Sequence, residues 1–103
     1  MKLELHLAEE LGSHLADGAK AVAFRMVRID PYVGMQADIV LDFTGVRHGN
    51  SSFVNGLLTG LLEEHGEALL DRMTFRGCNP VLRVLIEGAI ALGIQKYDTR
   101  ARA

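Results

Sequence analysis

Ala37-Asp38-Ile39-Val40-Leu41-Asp42-Phe43 is a continuous apolar run, rich in β-branched residues, with an acid near each end. A run without polar alternation predicts a central strand buried on both faces. Upstream, Lys2-Leu3-Glu4-Leu5-His6-Leu7 alternates with period two. That predicts a half-buried edge strand with Leu3, Leu5 and Leu7 turned inward. Downstream, Arg72-Met73-Thr74-Phe75-Arg76 alternates again. Helical periods separate these strands. The first begins near Asp17, a plausible N-cap, and carries the stripe Ala19, Val22, Ala23, Met26 and Val27, with Lys20, Arg25 and Arg28 off it. Asp30-Pro31 is expected to stop it, because the residue before proline is pushed out of the α region. The second runs from Ser51 to His65 on Val54, Leu57, Leu58, Leu61 and Leu62, with Gly66 as its C-terminal cap. The third starts at Asn79-Pro80 and carries Val81, Leu82, Leu85, Ile86, Ala89 and Leu92, with Gly93 weakening its end. The order β-α-β-α-β-α predicts an α/β domain with a small, mostly parallel or mixed sheet and three main helices.

The chain has 103 residues, 49% hydrophobic and 23% charged, which is the mix of an ordinary globular domain. We expect one domain over residues 1–95 and a frayed polar tail over residues 96–103. Eleven basic against thirteen acidic side chains leave a net charge of −2, which argues against nucleic-acid binding driven by bulk charge. Residues 1–15 hold no signal-peptide core, and no 18 consecutive residues are apolar, so neither an address nor a membrane span is expected. The single cysteine, Cys78, excludes an internal disulfide and suits a reducing cytoplasm. A homo-oligomer is left open.

Function in an open α/β sheet gathers at the carboxyl ends of the strands. Here those ends are residues 44–52 and 77–80. The first is the more unusual: a glycine-containing loop, then Asn50-Ser51-Ser52 at a helix start. Ser51 and Ser52 are candidates either for capping or for modification and recognition. Around a helical wheel of about 100° per residue, Asn55, Thr59 and Glu63 oppose Val54, Leu57 and Leu61, and Ser52 joins the polar group. These residues, with Arg47, His48 and Asn50, form the candidate partner surface. Gly56 and Gly60 allow either close packing by a neighbouring helix or a flat face open to a partner. No metal, cofactor or catalytic constellation is expected. His6, His14, His48 and His65 form no H-x-x-x-H pair, no G-x-S-x-G surrounds either serine, and Asp42 lacks a second carboxylate at a recognisable spacing. Asp42 reads as a structural acid bonded to loop amides.

The segment Ile39-Val40-Leu41-Asp42-Phe43-Thr44-Gly45-Val46, followed by Ser51-Ser52-Phe53, resembles bacterial STAS-like domains and, more distantly, the STAS domain of anti-sigma factor antagonists. In the latter a hydrophobic strand and a short loop deliver Asp-Ser-Ser-Gly to a helix start. Counted without gaps from Asp42, Asn50 falls on the acid and Ser52 on the serine phosphorylated by the partner kinase. Ser52-Phe53 matches the STAS-like branch. The resemblance implies a non-enzymatic regulatory module that binds a protein such as an anti-sigma factor or histidine-kinase-like ATPase, with a phosphoserine switch. The alternative is a sensor that binds a small ligand or nucleotide at the same strand ends.

Overall fold

The expected central strand lies in the middle of a three-stranded, all-parallel sheet of order β1-β3-β5. A computed structural model describes residues 1–102. Its elements are β1 (Lys2–His6), α1 (Leu7–Leu11), β2 (His14–Leu15), α2 (Gly18–Phe24), a π-helical turn (Arg25–Ile29) and α3 (Asp30–Gly34). Then come β3 (Asp38–Asp42), β4 (His48–Gly49), α4 (Ser51–His65), a 3-10 segment (Glu67–Arg72), β5 (Met73–Arg76) and α5 (Pro80–Arg102). The register pairs Leu5 with Leu41 and Leu41 with Phe75, and one step on it pairs His6 with Asp42 and Asp42 with Arg76. Side chains alternate along strands, so these two rows point to opposite faces. Leu3, Leu5, Ile39 and Leu41 share one core with Val54, Leu57, Leu58, Leu61 and Leu62 of α4. The other face is polar, with Lys2, Glu4, Thr74 and Arg76 exposed.

The helix α4 is the centre of the helical layer, with α2 on one flank and α5 on the other. Both contacts depend on glycine. A Cβ on Gly56 would lie 2.6 Å from the Gly18 carbonyl oxygen, and one on Gly93 would lie 2.6 Å from Leu62 Cβ and 2.7 Å from the Thr59 carbonyl oxygen. Gly56 therefore faces a packed neighbour, and Gly60 lies under the Arg25 guanidinium, so the open-face reading of this pair does not hold. Gly93 is a contact point rather than a weak helix end.

Four expectations are corrected. The stripe Ala19, Val22, Ala23, Met26 and Val27 faces outward; Met26 is 58% and Val27 72% exposed. The side of α2 that packs is its small one, Gly18 and Ala21, because close approach to Gly56 demands small residues. The helical path also continues through Asp30-Pro31. Asp30 keeps helical angles, φ −51 and ψ −44, and Pro31 enters the first turn of α3. Proline lacks the N–H for the carbonyl four residues back, and the wider π-helical turn accommodates that loss. Leu7 leaves the strand and begins α1 while staying buried. Finally, the 96–103 tail is not frayed over its described part: α5 runs unbroken to Arg102. The Tyr97 ring packs over Gly66, within 3 Å of where a Cβ would stand, and holds the last turns of the helix against the end of α4. Ala103 lies outside the described residues. Asp17, Gly66 and Asn79 cap their helices as expected; Asp17 accepts from Ala19 N, Gly66 donates to the Leu62 carbonyl, and Asn79 Oδ1 accepts from Leu82 N.

Candidate functional site

The loop after β3 starts with a turn that Asp42 builds. Its Oδ1 accepts from Thr44 N at 2.8 Å, and Val46 N donates to the Phe43 carbonyl at 2.9 Å. Gly45 takes φ +89, a left-handed angle that other residues adopt only with strain. Val46 is buried and anchors the turn. From there the chain is fastened on both sides. Arg47 N and His48 N donate to the Ser13 carbonyl at 2.9 and 3.1 Å, and Asn50 N donates to the Leu15 carbonyl at 3.0 Å. These bonds make the short parallel pairing of β2 with β4, which sequence periodicity could not reveal because each strand has two residues. On the other side Asn79 Nδ2 donates to the Arg47 carbonyl at 3.1 Å. The backbone of the loop is thus held in one conformation, while the Arg47 and His48 side chains stay exposed. The His48 ring lies 4.8 Å, centroid to centroid, from that of His14. His14 Nδ1 in turn lies 3.1 Å from Ser13 Oγ, so that histidine pairs with Ser13 rather than with either candidate serine.

Capping of α4 falls to Asn50. Its Oδ1 accepts from Phe53 N at 2.9 Å, and its Nδ2 donates to the Ala16 carbonyl at 3.0 Å. The second bond needs an amide: a carboxylate there would set two acceptors against each other. Asn50→Asp should lose that bond, worth about 0.5–1.5 kcal/mol, and add repulsion. The helix dipole returns only about 0.3–1 kcal/mol. The expected net cost is about 1 kcal/mol, read from urea unfolding; an Asn50→Asp protein as stable as wild type would remove this account of the amide.

Because Asn50 is the cap, the hydroxyls of Ser51 and Ser52 are spared that task, and both residues are exposed. Ser52 stands where two helices begin. A Cβ on Gly18, the first residue of α2, would lie 2.6 Å from Ser52 Oγ and 2.9 Å from the Ser52 carbonyl oxygen. Along α4 the expected polar surface divides. Asn55 is exposed and Glu63 half-buried, but Thr59 is only 8% exposed. Its hydroxyl donates towards Asn55 Oδ1 at 3.2 Å and the Ala89 carbonyl at 3.4 Å, beneath α5. Thr59 is therefore not a free partner surface; the wheel showed a polar residue on a polar face and could not show α5 returning over it. Beside the loop, Leu11, Leu15 and Phe53 floor a cavity of about 230 Å³ rimmed by His14, Asp17 and Lys20.

A second cluster went unnoticed in the sequence. The parallel register brings Glu4 and His6 of β1, Asp42 of β3 and Arg76 of β5 together on the polar sheet face, at the strand ends. His6 Nε2 is 3.0 Å from Glu4 Oε2, and His6 Nδ1 is 3.5 Å from Asp42 Oδ2. Arg76 Nη1 lies 3.6 Å from Glu4 Oε2 and 3.9 Å from Asp42 Oδ2. Hydrogen bonds from the Thr44 hydroxyl and backbone amide hold the Asp42 carboxyl below its ordinary pKa, with smaller help from His6 and Arg76 and against the effect of burial. Asp42 is thus ionised at neutral pH and structural at one oxygen, as expected. Cys78 is half-buried, and burial pushes its thiol pKa up, away from a reactive thiolate.

The structure thus presents a parallel α/β sheet, a strand-to-helix loop held on both sides and two exposed serines at a helix start. Residues 20–82 match the family described as "STAS-like domain of unknown function (DUF4325)", and the chain belongs to that family. The match includes the whole candidate loop; β1, with Glu4 and His6, precedes it. No curated protein and no solved structure matches the chain. Among the described residues, no helix is long and apolar enough to cross a membrane.

Proposed function

We propose that the domain is a non-enzymatic, cytoplasmic regulatory module that binds another protein through residues 47–52, and that phosphorylation of Ser52 weakens the contact. The observation that carries this reading is the position of Ser52. It is exposed in the first turn of α4 and touches the first residue of α2, the helix that with the following π-helical turn leaves Val22, Met26 and Val27 open to solvent. A modifiable hydroxyl exposed at the end of a fastened loop is what a switchable protein contact requires. Asn55 and Glu63 extend the surface; Thr59 does not. Family resemblance supports an anti-sigma factor or a histidine-kinase-like ATPase as the partner.

A phosphate on Ser52 would add about −1.5 to −2 charges at neutral pH. Two helix starts would favour it, each by about 0.3–1 kcal/mol at an exposed position. The Asp17 carboxylate, which already caps α2, would oppose it. The fold should therefore tolerate the phosphate while the docking surface gains negative charge. Ser52→Asp should melt within about 0.5 kcal/mol of wild type, as exposed substitutions do, yet capture markedly less partner from the native host; Ser52→Ala should capture it fully. Ser51 is changed singly as the comparison. Equal capture by Ser52→Asp and wild type would reject the switch.

The cavity beside the loop supports a second reading, a small-ligand sensor. At about 230 Å³ it falls below the roughly 300–1,000 Å³ of usual ligand pockets. It suits a small amphipathic anion near Lys20 rather than a nucleotide, and ligand-dependent melting would favour it.

A further inference from the structure

We propose that Glu4, His6 and Asp42 form a binding site for a divalent transition-metal ion, zinc being the best match, and that Arg76 is the cation that occupies the place in its absence. This does not depend on the regulatory reading. One ligand atom from each of the three residues lies within 4.8 Å of the others. A tetrahedral ion with bonds of about 2.0–2.1 Å holds its donors about 3.3 Å apart, and the His6 contacts to Glu4 and Asp42 already measure 3.0 and 3.5 Å. The imidazole must turn so that one nitrogen joins both carboxylates. Its side chain is 44% exposed and that of Glu4 is 35% exposed, which leaves both free to adjust.

A second observation points to a ligand. The Asp42 side chain is 8% exposed. Thr44 N takes its Oδ1, while Oδ2 is aimed into the cluster, 3.5 Å from His6 Nδ1 and 3.9 Å from Arg76 Nη1. A carboxylate this buried is costly to keep ionised unless its charge is met. Arg76 answers its charge only from 3.9 Å and is itself half-exposed, so its guanidinium can swing out to solvent. With Arg76 away, two carboxylates and a neutral imidazole present two negative charges to the ion. One imidazole with carboxylates is a donor set that suits zinc among the first-row metals. The open side of the sheet would leave at least one position to water.

The test uses the full chain, stripped of metal with a chelator, titrated with Zn²⁺ by calorimetry and with Co²⁺ by its visible absorption. One ion per chain is expected. Glu4→Gln and His6→Gln should each weaken binding by more than the roughly 10–100-fold that loss of an outer-shell partner costs, while keeping wild-type far-UV circular dichroism. Arg76→Gln should tighten binding by removing the competing cation, and His14→Gln should leave it unchanged. Asp42 is left intact because the Thr44 turn hangs from it. No binding to either wild type or Arg76→Gln overturns the proposal. So does binding that ignores Glu4→Gln and His6→Gln but is lost in His14→Gln, which places the ion on the His14–His48 pair. Weaker binding by Arg76→Gln also overturns it, since the guanidinium would then not be a competitor.

Discussion

Thr59→Arg is expected to remove most of the domain's stability. Thr59 looks like a surface residue in the sequence, a polar side chain on the polar side of an amphipathic helix. In the structure Ala89 and Gly93 of α5 close over it, and its hydroxyl reaches the Ala89 carbonyl. An arginine there must either bury an unpaired charge, at several kcal/mol, or push α5 away from α4, the largest helix contact in the fold. A domain of this size has about 5–15 kcal/mol in total, so the variant should be largely unfolded at room temperature by circular dichroism. Thr59→Val, which keeps the shape and removes the hydroxyl, should cost only about 1 kcal/mol. Cooperative wild-type melting by Thr59→Arg would show that α5 does not cover this face.

Leu41→Ala and Leu57→Ala should each cost about 2–5 kcal/mol, the range for a fully buried leucine. Leu41 lies in the middle strand, paired on both sides, and Leu57 belongs to the stripe of α4 that faces the sheet; both are fully buried. Urea unfolding should give a lower midpoint with an unchanged slope, because the surface exposed on unfolding barely changes. Wild-type midpoints for both variants would mean that the core lies elsewhere.

What the sequence revealed, and what it hid, follows from range. The strands at Leu3, Leu41 and Phe75 and the helix on Leu57 and Leu61 were readable because a strand or helix writes its period into adjacent residues. The caps at Asp17 and Asn79 were readable for the same reason. The face of α2 was misread because periodicity cannot tell a stripe of valine and methionine from a stripe of glycine and alanine when the neighbour is a glycine-bearing helix. The π-helical turn at Arg25–Ile29 also departs from the helical period on which the pattern was read. Thr59 was misread because its cover comes from Ala89, thirty residues on. The Glu4–His6–Asp42–Arg76 cluster left no local trace, since only the parallel register joins its members. At the loop, the sequence placed Asn50, Ser51 and Ser52 together at a helix start, and that is where they stand. The split of labour between them, Asn50 capping and Ser52 free against Gly18, became visible only once α2 was placed.

The most direct measurement of the account is the affinity of the captured partner for the domain carrying serine, against phosphoserine, at position 52, by calorimetry on purified proteins. The account predicts at least about ten-fold weaker binding of the phosphorylated form, or about 1.4 kcal/mol, with both forms equally folded. Equal affinity for the two forms would contradict it.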